Sequence, residues 1–248
     1  MRLLDLIQAE CHLSATKAKR LIHAGEVFYK GQPLVDINQA LDPDLMVIYY
    51  RSKRIGVGLG HHYLVYNKAA GQVSAKKDAH WPTPYDHLPE CYQGTSIVGR
   101  LDRDVEGLLL LTDNGQLHYF LEHARFHMPK TYQVTVNGDL GADLVEKFQA
   151  GVTFADGTTC RPAKLEIIGP RQAYLTIDQG MRHQVKKMFL ANGLKVVHLK
   201  RLSLGPLHLD PDLKTGRFRP LTGEESERIV RIMENNSRNH LITDKNSV

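Results

Sequence analysis

Residues 99–115 read GRLDRDVEGLLLLTDNG, and this stretch decides how the middle of the chain folds. Its four consecutive leucines, residues 108–111, are typical of a strand that is buried on both faces. The carboxylate of Asp102 precedes that strand and is flanked by Arg100 and Arg103. Because a buried strand fixes the chain at its ends, the sequence predicts that Asp102 lies in a rigidly held loop, where a reactive group can keep its position.

The composition indicates a folded, cytoplasmic protein. With 248 residues, 42% of them hydrophobic, the chain can form one large domain or two smaller ones. It has no apolar run of membrane-spanning length and no apolar N-terminal signal segment, so we expect no membrane partner. The three cysteines, Cys11, Cys91 and Cys160, form no recognisable disulfide or zinc pattern, which fits a reducing compartment.

Positive charge is concentrated in two regions that contain no acidic residue. The net charge is +5 and the pI is about 9.0, which permits a polyanionic partner. Residues 14–25 contain Lys17, Lys19 and Arg20 without an acid. The acid-free region 179–209 has the basic residues Arg182, Lys186, Lys187, Lys195, Lys200 and Arg201. A charge run often marks only a solvated face, but an acid-free region this long favours a surface that faces phosphates.

The first 50 residues have the pattern of a small separate domain. Leu3, Leu4 and Ile7 form an apolar helical stripe, and Ser14 is placed to cap a second helix. Residues 27–35, VFYKGQPLV, are typical of a β-hairpin around a Lys-Gly turn. The basic, glycine-rich residues 51–60, RSKRIGVGLG, predict a flexible linker and lack the spacing of a phosphate-binding loop.

The pattern of residues 61–236 predicts an α+β domain. Strand-like segments occur at 62–67, 108–112, 131–137, 173–178 and 195–201, and helix-like segments at 115–124, 142–150, 181–192 and 223–234. Their irregular alternation favours a mostly antiparallel mixed sheet with flanking helices. Thr222 and Glu225 have the spacing of a capping box. The polar residues 237–248 predict a flexible tail.

Four separated segments resemble the signature motifs of one enzyme family. They are residues 66–73, YNKAAGQV; residues 99–115; residues 130–134, KTYQV; and residues 180–188, GMRHQVKKM, followed by LKR at 199–201 and LG at 204–205. Their order and spacing resemble those of the RsuA-type ribosomal-RNA pseudouridine synthases. The two helices and hairpin of residues 1–50 resemble an S4 RNA-binding domain. The resemblance extends over residues 1–233.

The resemblance implies a reaction that needs no cofactor. Conversion of uridine to pseudouridine breaks the C1′–N1 bond, rotates the uracil and joins it again through C5, with no net exchange of atoms or electrons. It requires a carboxylate at the anomeric carbon, as in retaining glycosidases. The motif assigns this role to Asp102. Without the resemblance, a structural salt bridge with Arg100 or Arg103 would be the simpler interpretation.

The resemblance also implies roles for Tyr132 and Lys186. The matching tyrosine of the family stacks on the flipped uracil and is a candidate base, but tyrosine is a weak base at neutral pH, which favours stacking. The basic residue after HQV is Lys186, one helical turn from Arg182, and a cation there would favour the ionised form of Asp102. We expect RNA to be bound by Lys17, Arg20, Asn67, Lys68, Arg100, Arg182, Lys187 and Arg201.

Several functions remain open at this point. The leading expectation is a monomer that modifies one uridine of 16S rRNA, of the uridine-516 type, in ribosomal RNA or a partly assembled small subunit. The alternatives are a 23S rRNA pseudouridine synthase, a non-catalytic S4-type ribosome-assembly factor and a nucleoside glycosidase. The complete set of Asp102, Tyr132 and Lys186 disfavours a non-catalytic factor. A glycosidase is disfavoured because the sequence shows no pair of acidic residues that could activate water. His123 and His127 lack an evident third ligand, so we expect no metal site.

Overall fold

The computed structural model describes residues 1–39, 41–56 and 60–243, with side chains described as far as residue 233. These residues belong to two compact units, which we call the N-terminal unit (1–61 together with 222–248) and the central unit (62–221). The helices are α1 (Leu3–Cys11), α2 (Ala15–His23), α3 (Gly115–Glu122), α4 (Asp143–Ala150), α5 (Gln184–Leu190) and α6 (Gly223–Thr243). The strands are β1 (Val27–Tyr29), β2 (Gln32–Pro33), β3 (Ile48–Tyr50), β4 (Lys53–Ile55), β5 (Tyr63–Lys68), β6 (Ser96–Val98), β7 (Glu106–Thr112), β8 (Lys130–Val136), β9 (Lys164–Gly169), β10 (Gln172–Ile177), β11 (Val196–Leu204), β12 (Leu207–His208) and β13 (Phe218–Pro220).

The N-terminal unit packs two helices against a small antiparallel sheet of order β2-β1-β3-β4. The predicted hairpin is confirmed: β1 and β2 pair around Lys30 and Gly31, which both have positive φ values of 50° and 76°. This is the backbone geometry that a two-residue hairpin turn requires. Ser14 occupies the N-cap position of α2, but its side chain makes no capping hydrogen bond.

The domain boundaries differ from those expected in two places. Strand β4 lies inside the predicted linker, pairs with β3 and buries Ile55, while linker residues 57–59 lie outside the described part of the chain. Helix α6 is grouped with the N-terminal unit, because Val230 packs into the core formed by α1, α2 and the small sheet. The helix also extends to Thr243, into the predicted tail; residues 244–248 are not described.

The predicted capping box at the start of α6 is confirmed. The Thr222 N–H donates to Glu225 Oε2 over 2.8 Å, and the Glu225 N–H donates to Thr222 Oγ1 over 3.2 Å. Two N–H groups that the helix itself cannot pair are therefore satisfied.

No helix among the described residues is both long and apolar enough to cross a membrane.

The central unit is built on a mixed sheet of order β13-β5-β7-β11-β8-β10-β9, with β6 beside β7 and β12 beside β11. Its ladders are antiparallel except for the one between β7 and β11, so the expected mostly antiparallel sheet of an α+β fold is confirmed. The leucine strand β7 lies between β5 and β11 and is buried from residue 107 to residue 112. On β8, Tyr132, Val134 and Val136 alternate toward the core, as a half-buried strand requires.

Candidate active site

The loop that carries Asp102 is anchored by buried side chains on both sides. This Asp102 loop, residues 99–105, connects β6 to β7. Leu101 and Val105 are 7% and 2% exposed, and the Val105 N–H donates to the Asp102 carbonyl oxygen over 3.1 Å. The Asp102 side chain between them is 34% exposed. The loop therefore presents a carboxylate to solvent from a fixed backbone.

Lys68 holds the same loop from inside the protein. Its side chain is fully buried, and its Nζ donates to the carbonyl oxygens of Ala69 (3.0 Å), Arg103 (3.2 Å) and Val105 (2.7 Å). Burial lowers the pKa of Lys68 to about 8, although the carboxylates of the neighbouring Asp104, Asp102 and Glu106 oppose this shift. The expected contact between Lys68 and RNA is therefore wrong for this structure, because the ammonium group is enclosed and already bonded.

Asn67 is likewise an internal residue. It is 3% exposed, and its Nδ2 donates to the carbonyl oxygen of Leu213 over 2.7 Å. Its main chain also exchanges hydrogen bonds with Gly216 and Arg217. Asn67 thus holds the segment before β13 and does not reach the RNA contact that the motif led us to expect.

Arg201 joins three parts of the site. It is 1% exposed; its Nε donates to the Leu108 carbonyl oxygen over 2.7 Å and its Nη2 to the Gly99 carbonyl oxygen over 2.9 Å. Burial lowers the pKa of Arg201, and its interaction with Tyr132 opposes that shift. The structure therefore gives Arg201 a supporting position and not the predicted contact with RNA.

Gly107 allows the strand after the Asp102 loop to approach β11. Its φ is +105°, and a Cβ atom at this position would lie 2.2 Å from the carbonyl oxygen of Arg201, its partner in the parallel ladder. Any side chain would separate the two strands. The GLLLL pattern thus encodes a close strand contact as well as a buried strand.

Lys186 on α5 bridges two carboxylates of the Asp102 loop. Its Nζ lies 3.1 Å from Asp102 Oδ2 and 2.6 Å from Asp104 Oδ1. Burial alone would lower the pKa of Lys186, but the hydrogen bonds to Asp104 and Asp102 outweigh it and raise the pKa. Burial of Asp104 opposes its ionisation, but the hydrogen bond to Lys186 favours it. The net result is a lowered pKa of Asp104. The structure thus holds an ammonium group against the Asp102 carboxylate.

The turn before α5 brings His183 to the same carboxylate. Helix α5 begins at Gln184, and His183 adopts a left-handed backbone conformation with a φ of 54°. His183 Nε2 lies 3.5 Å from Asp102 Oδ1. Arg182 therefore precedes the helix and is exposed, which corrects the prediction that it lies one helical turn from Lys186. Sequence reasoning assigned no role to His183 or Asp104, although both are part of motifs that it used.

Tyr132 lies at the inner wall of a cavity that opens beside Asp102. The cavity has a volume of about 910 Å³. Tyr132 is 7% exposed and packs in the core with Val134 while still contributing to the cavity wall. The charged residues of the wall are Arg100, Asp102, Arg103, Glu122, Lys130, Arg161, Asp178, Arg182, Lys186 and Arg201. Basic side chains outnumber acidic ones in this wall, which suits a polyanionic ligand.

The remaining predicted RNA-binding residues lie outside that wall. Lys187 Nζ is 3.4 Å from Asp156 Oδ2 and 5.3 Å from the centre of the Phe154 ring. Lys17 and Arg20 are exposed on α2, in the N-terminal unit. Within the central unit, the structure therefore brings Asp102, Tyr132 and Lys186 to one cavity wall together with Arg100, Arg182 and Arg201, whereas Lys187 does not line it.

The two histidines considered as metal ligands have other partners. His123 Nδ1 accepts a hydrogen bond from the Arg125 N–H over 3.3 Å, and His127 Nδ1 lies 3.7 Å from Asp178 Oδ2. Within the described part of the chain, no group of three or more His, Cys, Asp or Glu side chains is arranged to hold a metal ion.

The arrangement supports nucleophilic or electrostatic catalysis at an electron-poor carbon. A half-exposed carboxylate, Asp102, faces a cavity and is bonded to the ammonium group of Lys186. An aromatic ring, Tyr132, and several arginines line the same space. A carboxylate of this kind can attack or stabilise an anomeric centre while the ring and cations hold a base and its phosphates.

Comparisons with known proteins agree with this chemistry. A family model described as RNA pseudouridylate synthase matches residues 62–191. An uncharacterized RNA pseudouridine synthase, YtzG, of Bacillus subtilis (strain 168) is 38% identical over 231 residues, which cover 91% of this chain and 96% of the relative. Ribosomal small subunit pseudouridine synthase A of Escherichia coli (strain K12) is 37% identical over 232 residues, which cover 93% of this chain and 100% of the relative.

A solved structure resembles most of this chain. The crystal structure of a pseudouridylate synthase matches with a TM-score of 0.66 and 32% sequence identity, over 92% of this chain and 99% of the other. The family-model match covers the segments that carry Asp102, Tyr132 and Lys186, and the full-length matches also include the N-terminal unit.

Proposed function

Because this chain belongs to the RNA pseudouridylate synthase family, we propose that it isomerises one specific uridine of 16S ribosomal RNA to pseudouridine. The observation that carries the proposal is the 3.1 Å contact between Lys186 Nζ and Asp102 Oδ2 at the wall of the basic cavity. A non-catalytic RNA-binding protein has no need to hold a partly exposed carboxylate next to a cation inside an RNA-binding cleft.

Asp102 acts at C1′ of the target nucleotide. An oxygen of its carboxylate forms a bond to C1′ while the C1′–N1 bond breaks and N1 leaves with the electron pair. The uracil then turns so that C5 faces C1′, a C5–C1′ bond forms and the carboxylate is released. C5 loses one proton and N1 gains one, so atoms and electrons balance without a cofactor.

Lys186 and Arg201 prepare the site for this step. Lys186 compensates the negative charge of Asp102 while leaving the carboxylate in contact with the cavity. Arg201 interacts with Tyr132 and bonds to Gly99, so it ties the position of the ring to the start of the Asp102 loop. Because tyrosine is a weak base at neutral pH, Tyr132 contributes mainly a stacking surface for the flipped uracil.

The choice of 16S rRNA rests on the relatives. Several of them carry the name ribosomal small subunit pseudouridine synthase A, and the Escherichia coli (strain K12) protein is matched over its full length. We propose a uridine of the 516 type as the target, in a partly assembled small subunit. The protein would act there as a cytoplasmic monomer, and its N-terminal unit would serve as an S4-like RNA-binding domain through Lys17 and Arg20 on α2.

The proposal is tested by incubating the purified protein with unmodified transcripts of 16S rRNA and 23S rRNA. Small-subunit particles reconstituted from the 16S transcript are tested in the same way. Pseudouridine is then mapped by chemical labelling and primer extension. We expect one new pseudouridine, in 16S rRNA, formed faster in the particles than in naked RNA. Modification of 23S rRNA alone would overturn the choice of target, and binding without any modification would overturn the enzymatic function.

A further inference from the structure

A half-exposed tryptophan stands next to the Asp102 loop. Trp81 is the single tryptophan of the chain and is 47% exposed. The guanidinium carbon of Arg103 lies 3.8 Å from the centre of the Trp81 ring. Arg103 follows Asp102 directly and contributes to the cavity wall. A planar cation and an aromatic ring are therefore stacked at the edge of the active site.

The segment that carries Trp81 is attached to the Asp102 loop on both sides of Asp102. The Gly71 N–H donates to the Arg103 carbonyl oxygen over 2.7 Å. Ser74 Oγ donates to the Leu101 carbonyl oxygen over 2.8 Å and accepts from the Leu101 N–H over 3.1 Å. Residues 71–74 thus run along the loop and fix the segment against it.

The turn that contains Trp81 is itself stabilised. Asp78 Oδ1 accepts hydrogen bonds from the N–H groups of His80 (2.9 Å) and Trp81 (3.0 Å), and these bonds lower the pKa of Asp78. The Val73 N–H donates to the Pro82 carbonyl oxygen over 2.9 Å and closes the turn. The backbone of Trp81 is therefore held in place although its ring is half exposed.

Single exposed aromatic side chains are ordinary on protein surfaces, so exposure alone indicates no function. Arg103 makes this case different. Among the described residues its guanidinium forms no hydrogen bond or ion pair, although two aspartates adjoin it in the chain, and its side chain is stacked on Trp81 instead. Its N–H donors remain available at the cavity edge, where a phosphate would find them.

We propose that Trp81 and Arg103 bind the nucleotide next to the target uridine, with its base stacked on Trp81 and its phosphate bonded to Arg103. This inference rests on the proposed isomerase activity. Flipping the target uridine deprives its neighbour of one stacking partner, and an aromatic ring can replace that partner for any base. Trp81 and Arg103 are thus substrate-positioning residues that act in binding and not in the bond changes at C1′.

The intrinsic fluorescence of Trp81 reports on this contact without a label, because the chain has no other tryptophan. The probe is a short 16S rRNA fragment that contains the uridine mapped above. Two further fragments carry an abasic site in place of the nucleotide on the 5′ or the 3′ side of that uridine. We expect the intact fragment and one abasic fragment to quench the fluorescence, and the other abasic fragment to leave it nearly unchanged. Equal quenching by all three fragments, or none, would overturn the proposal.

Kinetic variants give an independent measurement. We expect Trp81→Ala to raise KM roughly tenfold or more with kcat little changed, as loss of one base–aromatic stack implies, and Trp81→Phe to recover most of that loss. Arg103→Lys, which keeps the charge but not the planar group, should also raise KM. The exposed Ile168 on β9 supplies the control Ile168→Ala, which should match the wild type in KM.

The outcomes separate this inference from the proposed function. If the wild type modifies the fragment and Trp81→Ala has an unchanged KM, the stacking proposal fails and the isomerase function stands. A lowered kcat with an unchanged KM would also overturn the proposal, since the ring would then only position the Asp102 loop. A wild type that binds the fragment but modifies no rRNA overturns the proposed function itself.

Discussion

Replacing Lys68 by methionine removes the buried cation that holds the Asp102 loop. Lys68 Nζ donates to the carbonyl oxygens of Ala69, Arg103 and Val105, and its side chain is 0% exposed. Methionine has a similar length and fills the space without the charge. We expect Lys68→Met to fold and to lose at least about tenfold in kcat, because two carbonyl groups of the loop lose a charged donor worth about 1.5–3 kcal/mol per bond.

The effect on stability follows from the pKa of Lys68, which burial lowers from 10.5 to about 8. Between these two pH values the unfolded chain carries a proton on Lys68 that the folded chain has released. The free energy of unfolding of the wild type therefore rises through this window by about 1.4 kcal/mol per pH unit, or about 3 kcal/mol in total. This contribution is fully present above pH 10.5. It is absent below about pH 8, where Lys68 is protonated in both the folded and the unfolded chain.

The assay is denaturant unfolding of the wild type and Lys68→Met from pH 8 to pH 10.5. The difference between their free energies of unfolding isolates Lys68, because every other titrating group is common to both proteins. It should shift in favour of the wild type by about 3 kcal/mol as the pH rises. Lys164→Met on β9, whose side chain is 80% exposed, is the matched control and should show no such shift. A difference that does not depend on pH would mean that folding does not lower the pKa of Lys68.

Three further predictions concern the ring, the cation and the N-terminal unit. Tyr132→Phe keeps the stacking ring and should bind substrate RNA normally, but it should turn over slowly because it loses the hydroxyl that interacts with Arg201. Tyr132→Leu should bind about 1–3 kcal/mol more weakly; wild-type binding and full activity of both variants would make Tyr132 ordinary core. Lys186→Met should lower kcat about 10- to 100-fold with little change in KM, and steady-state kinetics showing wild-type kcat would contradict its role beside the nucleophile. The double variant Lys17→Ala, Arg20→Ala should lower the slope of log affinity against log salt by about two, one for each lost phosphate contact. The control Lys147→Ala should leave that slope unchanged in filter-binding titrations, and an unchanged slope in the double variant would exclude α2 from the RNA contact.

The strands that the sequence predicted well are those whose burial is written in a simple pattern. The leucine run of β7 and the alternation of Tyr132, Val134 and Val136 on β8 each match one strand of the sheet. Short edge strands were missed, because β6, β9 and β13 are brief or carry many exposed residues and so resemble loops. Helix α6 was found, but its assignment to the N-terminal unit depends on a tertiary contact of Val230 that no local pattern records.

The sequence predicted the candidate site only for side chains whose exposure is typical of their residue type. Asp102, Tyr132 and Lys186 came from motifs, and the structure brings them together around one cavity. Lys68 and Arg201 were expected to bind RNA, yet both are enclosed and bonded to main-chain carbonyl groups, which is rare for long cations. Which basic residues line a cleft and which support it depends on strand register, and a single sequence does not reveal that.

The left-handed backbone conformation of His183, just before α5, is a second feature that the sequence did not predict. A continuous helix over residues 181–192 would place Arg182 one turn from Lys186, but His183 interrupts it with a φ of 54°. A non-glycine residue in this conformation is uncommon, so pattern reasoning does not anticipate it. The interruption brings His183 to 3.5 Å from Asp102 and leaves Arg182 exposed at the cavity.

We propose that the Asp102 carboxylate acts at C1′ of a uridine in ribosomal RNA. The most direct measurement compares Asp102→Asn with the wild type on 16S rRNA labelled with tritium at C5 of uridine, because isomerisation releases the C5 proton. The amide keeps the size of the side chain and removes its nucleophilic charge. We predict no tritium release and no mapped pseudouridine for Asp102→Asn, with an affinity for the RNA close to that of the wild type. Turnover by Asp102→Asn, in protein shown by mass spectrometry to retain the amide, would exclude Asp102 as the group that acts at C1′.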